Sequence, residues 1–230
     1  MLLKLSQSPD VHSSSTSSRA KQMRLAWSVA PLIFVTLAAG LCGCASVGHS
    51  FNNTAAENLD IGQMQSSDYR SVFGKKPVAT ALTTTADGRF EVARYSYAFA
   101  DLGTAKARIL ILEFKDGKLN AFVYLSSFDE HQTHVPFDKI NEISSRVSTK
   151  TDVLKVLGKP NGKALCPSTL EDFKGKCEKC VEIWTWQTMS SISTFGAAYG
   201  GKQPSIQNIY ISFDKDGVVS EVSTSSTNSR

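Results

Sequence analysis

An internal duplication constrains the fold of this chain more than any other feature. Asp68, Val72-Phe73 and Gly74 return 84 positions later as Asp152, Val156-Leu157 and Gly158, and both runs close on Gly-Lys-(Lys)-Pro. Ser66 in the first run, and Ser148 or Thr149 in the second, can cap a helix N-terminus, with an Asp early in the first turn to suit the dipole. Tyr69, Val72 and Phe73, like Val153, Val156 and Leu157, fall at the three- and four-residue spacing of a buried helical face. The closing Gly permits a left-handed cap and the Pro stops the helix. A second match joins Ile109–Leu119 to Ile209–Val219, 100 positions apart, and each reads as strand, Lys-Asp-Gly turn, strand. Phe90–Tyr97 and Val181–Trp186, which precede them, alternate as half-buried strands do. Each copy therefore predicts a helix, or a helix pair, followed by a three-stranded antiparallel sheet, and the chain an α+β tandem of two such units. The units span 59–128 and 143–224, with a connector at 129–142. The drift in offset from 84 to 100 assigns longer loops to the second copy, at 161–180 and 195–203.

The capped helix ending in Gly-Lys-Pro and the Lys-Asp-Gly hairpin resemble the SmpA/OmlA (BamE-like) lipoprotein domain, found in the small lipoprotein of the outer-membrane β-barrel assembly machinery. The duplicated arrangement is similar to that of the β-lactamase inhibitor protein. The likeness covers roughly 60–155 and 140–225. Gly62 stands where that family commonly places a glycine before the helix, whereas the second copy has Arg146. The resemblance implies a non-enzymatic protein-binding module in envelope or outer-membrane protein assembly. The alternative it implies is an inhibitor or regulator that docks on a periplasmic or secreted enzyme.

Ahead of the duplication lies a 17-residue apolar run, Leu25 to Leu41, with Arg19, Lys21 and Arg24 before it and Cys42-Gly43-Cys44 after it. Basic head, apolar middle and small residue at the cut make residues 1–43 a predicted signal peptide, and 1–22 reads as an over-extended start before Met23. Gly43 before Cys44 and Leu41 three back resemble a bacterial lipobox, which makes Cys44 the predicted lipidation site. Cys42 follows the bulky Leu41, which obstructs a peptidase pocket for small residues. The competing reading, an uncleaved membrane span, has a short segment with Pro31 inside it. The lipoprotein pattern implies multiple acylation, palmitate included, and lasting attachment to the bilayer. Ala45 rather than Asp after the cysteine implies sorting to the outer membrane, on its periplasmic face. Residues 44–58 then form a lipidated linker and 225–230 a disordered tail.

The net charge of +4 is mostly a property of the leader. Lys4, Arg19, Lys21 and Arg24 account for four of the 25 basic residues, and Asp10 for one of the 21 acidic ones. What remains is close to neutral, with no basic field to attract nucleic acid. Export makes a disulfide the expected use of Cys166, Cys177 and Cys180. Cys166 paired with Cys177 or with Cys180 closes a loop of roughly 11 to 14 residues, for about 3 kcal/mol in the chain-entropy model. A redox pair of Cys177 and Cys180 is the other reading, although no βαβ pattern surrounds it. A zinc site there would want a fourth ligand, and His134 is far off in sequence.

No catalytic constellation is evident. His131 and His134, behind Asp129 and Glu130, read as solvated residues of the connector. Neither a Gly-x-Ser-x-Gly elbow nor a phosphate-binding loop occurs, so no enzyme activity, small-molecule substrate, cofactor or metal is expected. Trp184 and Trp186 share one face of a strand, with Tyr95 and Tyr97 at the matching positions of the first copy. They serve either as core or as a partner-binding strip with Tyr199 of the glycine-rich loop, since Trp and Tyr dominate interface hot spots.

Overall fold

The computed structural model describes residues 45–74, 76–101, 103–177, 180–193 and 205–228. The expected leader, Cys44 and Tyr199 lie outside the described residues. In chain order the elements are β1 (Ala45–Gly48), α1 (Asn53–Glu57), α2 (Tyr69–Phe73), β2 (Ala79–Thr85), β3 (Gly88–Ala100), β4 (Thr104–Lys115) and β5 (Lys118–Ser126). There follow α3 (Lys150–Leu157), β6 (Gly162–Leu165), β7 (Glu182–Met189), β8 (Ile192–Ser193), β9 (Ser205–Phe213) and β10 (Val219–Asn228). The connector holds two 3-10 segments, Asp129–His131 and Phe137–Glu142. No helix among the described residues is long and apolar enough to cross a membrane.

All ten strands belong to one antiparallel sheet, in the order β1-β3-β4-β5-β6-β7-β9-β10, with β2 beside β3 and β8 beside β4. Register assigns the two faces. Ala93, Leu112, Phe122, Lys163, Trp184, Ile211 and Val222 stand opposite one another in turn, so one row of side chains crosses the sheet on a single face. That face is packed at both ends. Phe51, Ala56, Leu59, Tyr69 and Phe73 cover Tyr95, Leu110, Leu112 and Phe122 in one core. Val135, Ile143, Val153 and Leu157 cover Trp184, Trp186, Ile209 and Ile211 in a second. Lys163 stands between the two, its Nζ 2.9 Å from Asp60 Oδ1 and 4.7 Å from the centre of the Trp184 ring. The opposite row, Val92, Glu113, Ala121, Ala164, Ile183 and Ser212, lies beneath a loop whose described residues are 166–177 and 180.

The expected α+β tandem is overturned, because the described residues form mainly this one continuous sheet with three short α-helices rather than two units that each close a three-stranded sheet. The cause lies in β5. Leu119, Phe122 and Tyr124 point into the first core, while Ala121, Val123 and Leu125 point to the other face, and all six are buried. A strand apolar on both sides cannot stand at a wet edge; it is stable only as a central strand covered above and below. It takes β6 as its outer neighbour, and the two halves fuse there. The strand β2, Ala-Thr-Ala-Leu-Thr-Thr-Thr, has no buried position and so shows no alternation, and β6 alternates but is only four residues long.

Two boundary expectations also shift. Residues 44–58 are not a free tether along their described length, since β1 pairs with β3 and Phe51 and Ala56 sit in the first core. The tail expected to be disordered continues β10 as far as Asn228, paired with Ser205.

The seam between the halves is closed at Gly162. A Cβ there would stand 2.5 Å from Thr185 Cγ2 and 3.0 Å from the Phe122 carbonyl oxygen. Gly162→Ala is expected to destabilise the chain by about 1–3 kcal/mol. A urea midpoint equal to that of the parent would contradict this placement of the seam.

Candidate functional site

The loop over the sheet is built on a buried carboxylate. Glu113 is fully buried in β4, on the face away from the helices. An isolated carboxylate there would cost several kcal/mol, so it must be met by donors. Its Oε2 accepts from Thr169 N at 2.7 Å and Thr169 Oγ1 at 2.5 Å, and its Oε1 accepts from Asn120 Nδ2 at 2.9 Å. The Asn120 amide also reaches the carbonyls of Leu165 and Pro167, at 3.3 and 3.1 Å. One end of the loop is thereby pinned to the sheet by hydrogen bonds. Its middle is pinned by apolar packing, since Leu170 and Phe173 enter a third core where Ala121 and Ala164 leave room for them.

Cys166, Cys177 and Cys180 come together against this core as free thiols, with the three sulfurs within 4.8 Å of one another. Cys166 Sγ lies 3.1 Å from Cys180 Sγ, and the Cys180 thiol also donates to the Lys176 carbonyl at 3.2 Å. The trio is electrostatically unequal. The Cys166 thiol donates to the Cys177 sulfur, which lowers the Cys177 pKa to about 7 despite its burial. The same bond, with burial, pushes Cys166 well up, and burial raises Cys180.

The aromatic residues considered as a partner surface are placed otherwise. Trp184, Trp186 and Tyr95 are 3%, 1% and 2% exposed, inside the two cores beneath the helices. Trp184 Nε1 donates to Glu182, and the Tyr95 hydroxyl donates to the Gly74 carbonyl at 2.7 Å. They bind the helical layer to the sheet and present nothing to a partner. Tyr97 is half-buried, stacked on Phe128 with the Arg108 guanidinium 4.9 Å over its ring. His131 lies 2.6 Å from Glu57 Oε1 beside a cleft of about 300 Å³ that His134, Lys159 and Asn161 also line. His131 is thus held against α1, whereas His134 is exposed at the rim of the cleft.

Sequence reasoning passed over two features. Glu113 gave no signal, because a Glu in an alternating strand reads as solvated until the loop above it is known. The other is β2, whose seven residues are all exposed, with Leu82 62% exposed and Val78 before it 47% exposed. Among the described residues β2 pairs with β3 alone, and its side away from β3 carries unpaired main-chain groups with no charged residue to shield them. The run of Thr and Ala, free of charge and proline, was the available sign.

In the reduced chain, iodoacetamide is expected to label Cys177 first, with a half-maximal rate near pH 7, because the thiolate forms above the pKa of about 7. Peptide mapping by mass spectrometry checks this; equal labelling of all three thiols at every pH would count against it.

No protein-family model matches the chain and no curated protein matches it, so the SmpA/OmlA resemblance has no support beyond the short motifs that suggested it. Among solved structures, the chain is similar to a candidate beta-lactamase inhibitor protein of Streptococcus mutans, at a TM-score of 0.36 and 12% identity, over 86% of this chain and 98% of that one.

Proposed function

We propose that this chain is a non-enzymatic protein-binding module, anchored to the envelope through Cys44, that captures an extended strand of a partner protein along β2. One observation carries the reading: β2 is a seven-residue edge strand with every side chain exposed, no charge or proline in it and, among the described residues, no further strand to guard it. Natural sheets blunt such edges, because an open row of N–H and C=O groups recruits another strand. An edge left open is the geometry of strand addition, in which main-chain hydrogen bonds supply affinity and alternate side chains supply selectivity. The absence of charge on β2 suits an equally uncharged partner segment. Lipobox, leader and near-neutral mature chain favour an envelope protein as that partner. Docking on a secreted enzyme as its inhibitor is the second reading, and it would use the same edge.

Crosslinking and pull-down from solubilised envelopes test both, with the lipidated chain, a Cys44→Ala control and a Leu82→Lys/Thr84→Lys variant. The double lysine variant is expected to keep stability within about 0.5 kcal/mol, as surface changes do. It should lose partner affinity by about tenfold or more, roughly 1.4 kcal/mol. Recovery of envelope proteins by the parent alone supports the assembly reading, and recovery of one soluble hydrolase supports the inhibitor reading. Equal recovery by parent and lysine variant removes β2 as the contact.

A further inference from the structure

We infer that Cys166, Cys177 and Cys180 form a binding site for a soft d10 metal cation, held by three thiolates on the loop that covers the back of the sheet. The first ground is geometric. Metal–thiolate bonds are about 2.3 Å, so three sulfurs around one ion stand about 4 Å apart. All three sulfurs here lie within 4.8 Å of one another, with Cys166 and Cys180 3.1 Å apart, so modest side-chain rotations bring them to that spacing.

The second ground is that the site is held in place by groups other than the sulfurs. Cys166 is fixed at the end of β6 by its own N–H, which donates to the Val181 carbonyl at 2.9 Å. Thr169 is held by Glu113, and Phe173 is fully buried four residues before Cys177. A ligand set positioned by its surroundings does not have to be ordered by the metal, which is the condition for tight binding. A disulfide, by contrast, can use only two of the three thiols and leaves the third packed against it without a role.

The third ground is the chemistry of the donors. All three are sulfur, and soft ligands of this kind select Cu(I) or Zn²⁺ over hard cations. Glu113 already accepts three hydrogen bonds and is committed to Thr169 and Asn120. Cu(I) is satisfied by the three thiolates themselves, whereas Zn²⁺ would complete its tetrahedron with water.

The full chain, purified in detergent under anaerobic and reducing conditions, is to be given Cu(I) in competition with bicinchoninate, and Zn²⁺ in a parallel titration. The expected result is one equivalent of metal withdrawn and simultaneous protection of all three thiols from iodoacetamide. That measurement uses the parent alone and does not depend on any variant folding. Single Cys→Ser variants, checked for folding by near-UV circular dichroism, each remove a direct ligand and are expected to weaken binding by at least the roughly 10- to 100-fold that loss of an outer-shell partner costs. Binding of Zn²⁺ with the same dependence on all three cysteines also supports the site. Thiols that stay fully reactive in excess metal would overturn it. So would variants that bind as the parent does, or a chain recovered from the envelope with a Cys166–Cys180 disulfide and only Cys177 free.

Discussion

The whole arrangement depends on a narrow strip where β5, β6 and β7 meet. β5 is apolar on both faces and must be flanked by strands and covered on both sides. β6 satisfies it with four residues, and the strip accommodates them because Gly162 presents no side chain towards Thr185 and Phe122. Beside that glycine, Lys163 divides the helix-covered face into two cores. It reaches Asp60 in the first half of the chain and lies over Trp184 in the second. A single cation in an otherwise apolar row is tolerable because its stem packs between the cores while its head is paired. An apolar residue in its place would merge the two cores, and an unpaired one would leave a charge with little water, since the Lys163 side chain is only 12% exposed.

The other face is solved differently. Among the described residues a loop with one 3-10 turn, rather than an α-helix, covers the back of β5, β6 and β7. Loops are poor covers because their own polar groups need partners. Here Glu113 and Asn120 project from the sheet to supply them, so polar residues inside β4 and β5 make an apolar lid possible. Thr169, Leu170 and Phe173 are the points of attachment, and the three thiols gather between them and the end of β6.

Much of the local structure was legible from sequence, and the reason is visible in particular residues. Thr149 and Asp152 form a reciprocal capping box at the start of α3, and Gly158 ends that helix at positive φ. The Lys-Asp-Gly turns fall between β4 and β5 and after β9, where Gly117 and Gly217 take positive φ. The corresponding cap of α2 is not made by a side chain, because Asp68 makes no such bond. Long-range contacts hold α2 instead, through the Tyr69 hydroxyl to Glu91 and the Tyr95 hydroxyl to Gly74. The period of two placed Trp184 and Trp186 on one face correctly, but periodicity cannot say which face is inward when both are covered. The fusion of the halves was hidden for the same reason. Adjacency of β5 and β6 rests on pairings across some forty residues, and no local pattern records them. Glu113 and the open edge at β2 were hidden by their ordinariness: one resembles any solvent-facing glutamate, the other a threonine-rich loop.

The width of the seam sets how the sheet yields. β3 and β4 are joined by eleven facing residue pairs, whereas β5 and β6 share three, from Ala121–Ala164 to Val123–Gly162. Resistance to opening follows the number of ladder bonds and the apolar area behind them, so cooperative fluctuations concentrate at the shortest ladder along the main strand order, which is this one. The sheet is therefore two stiff panels with a compliant line between them, and torsion applied to one outer edge is absorbed at that line before it reaches the other.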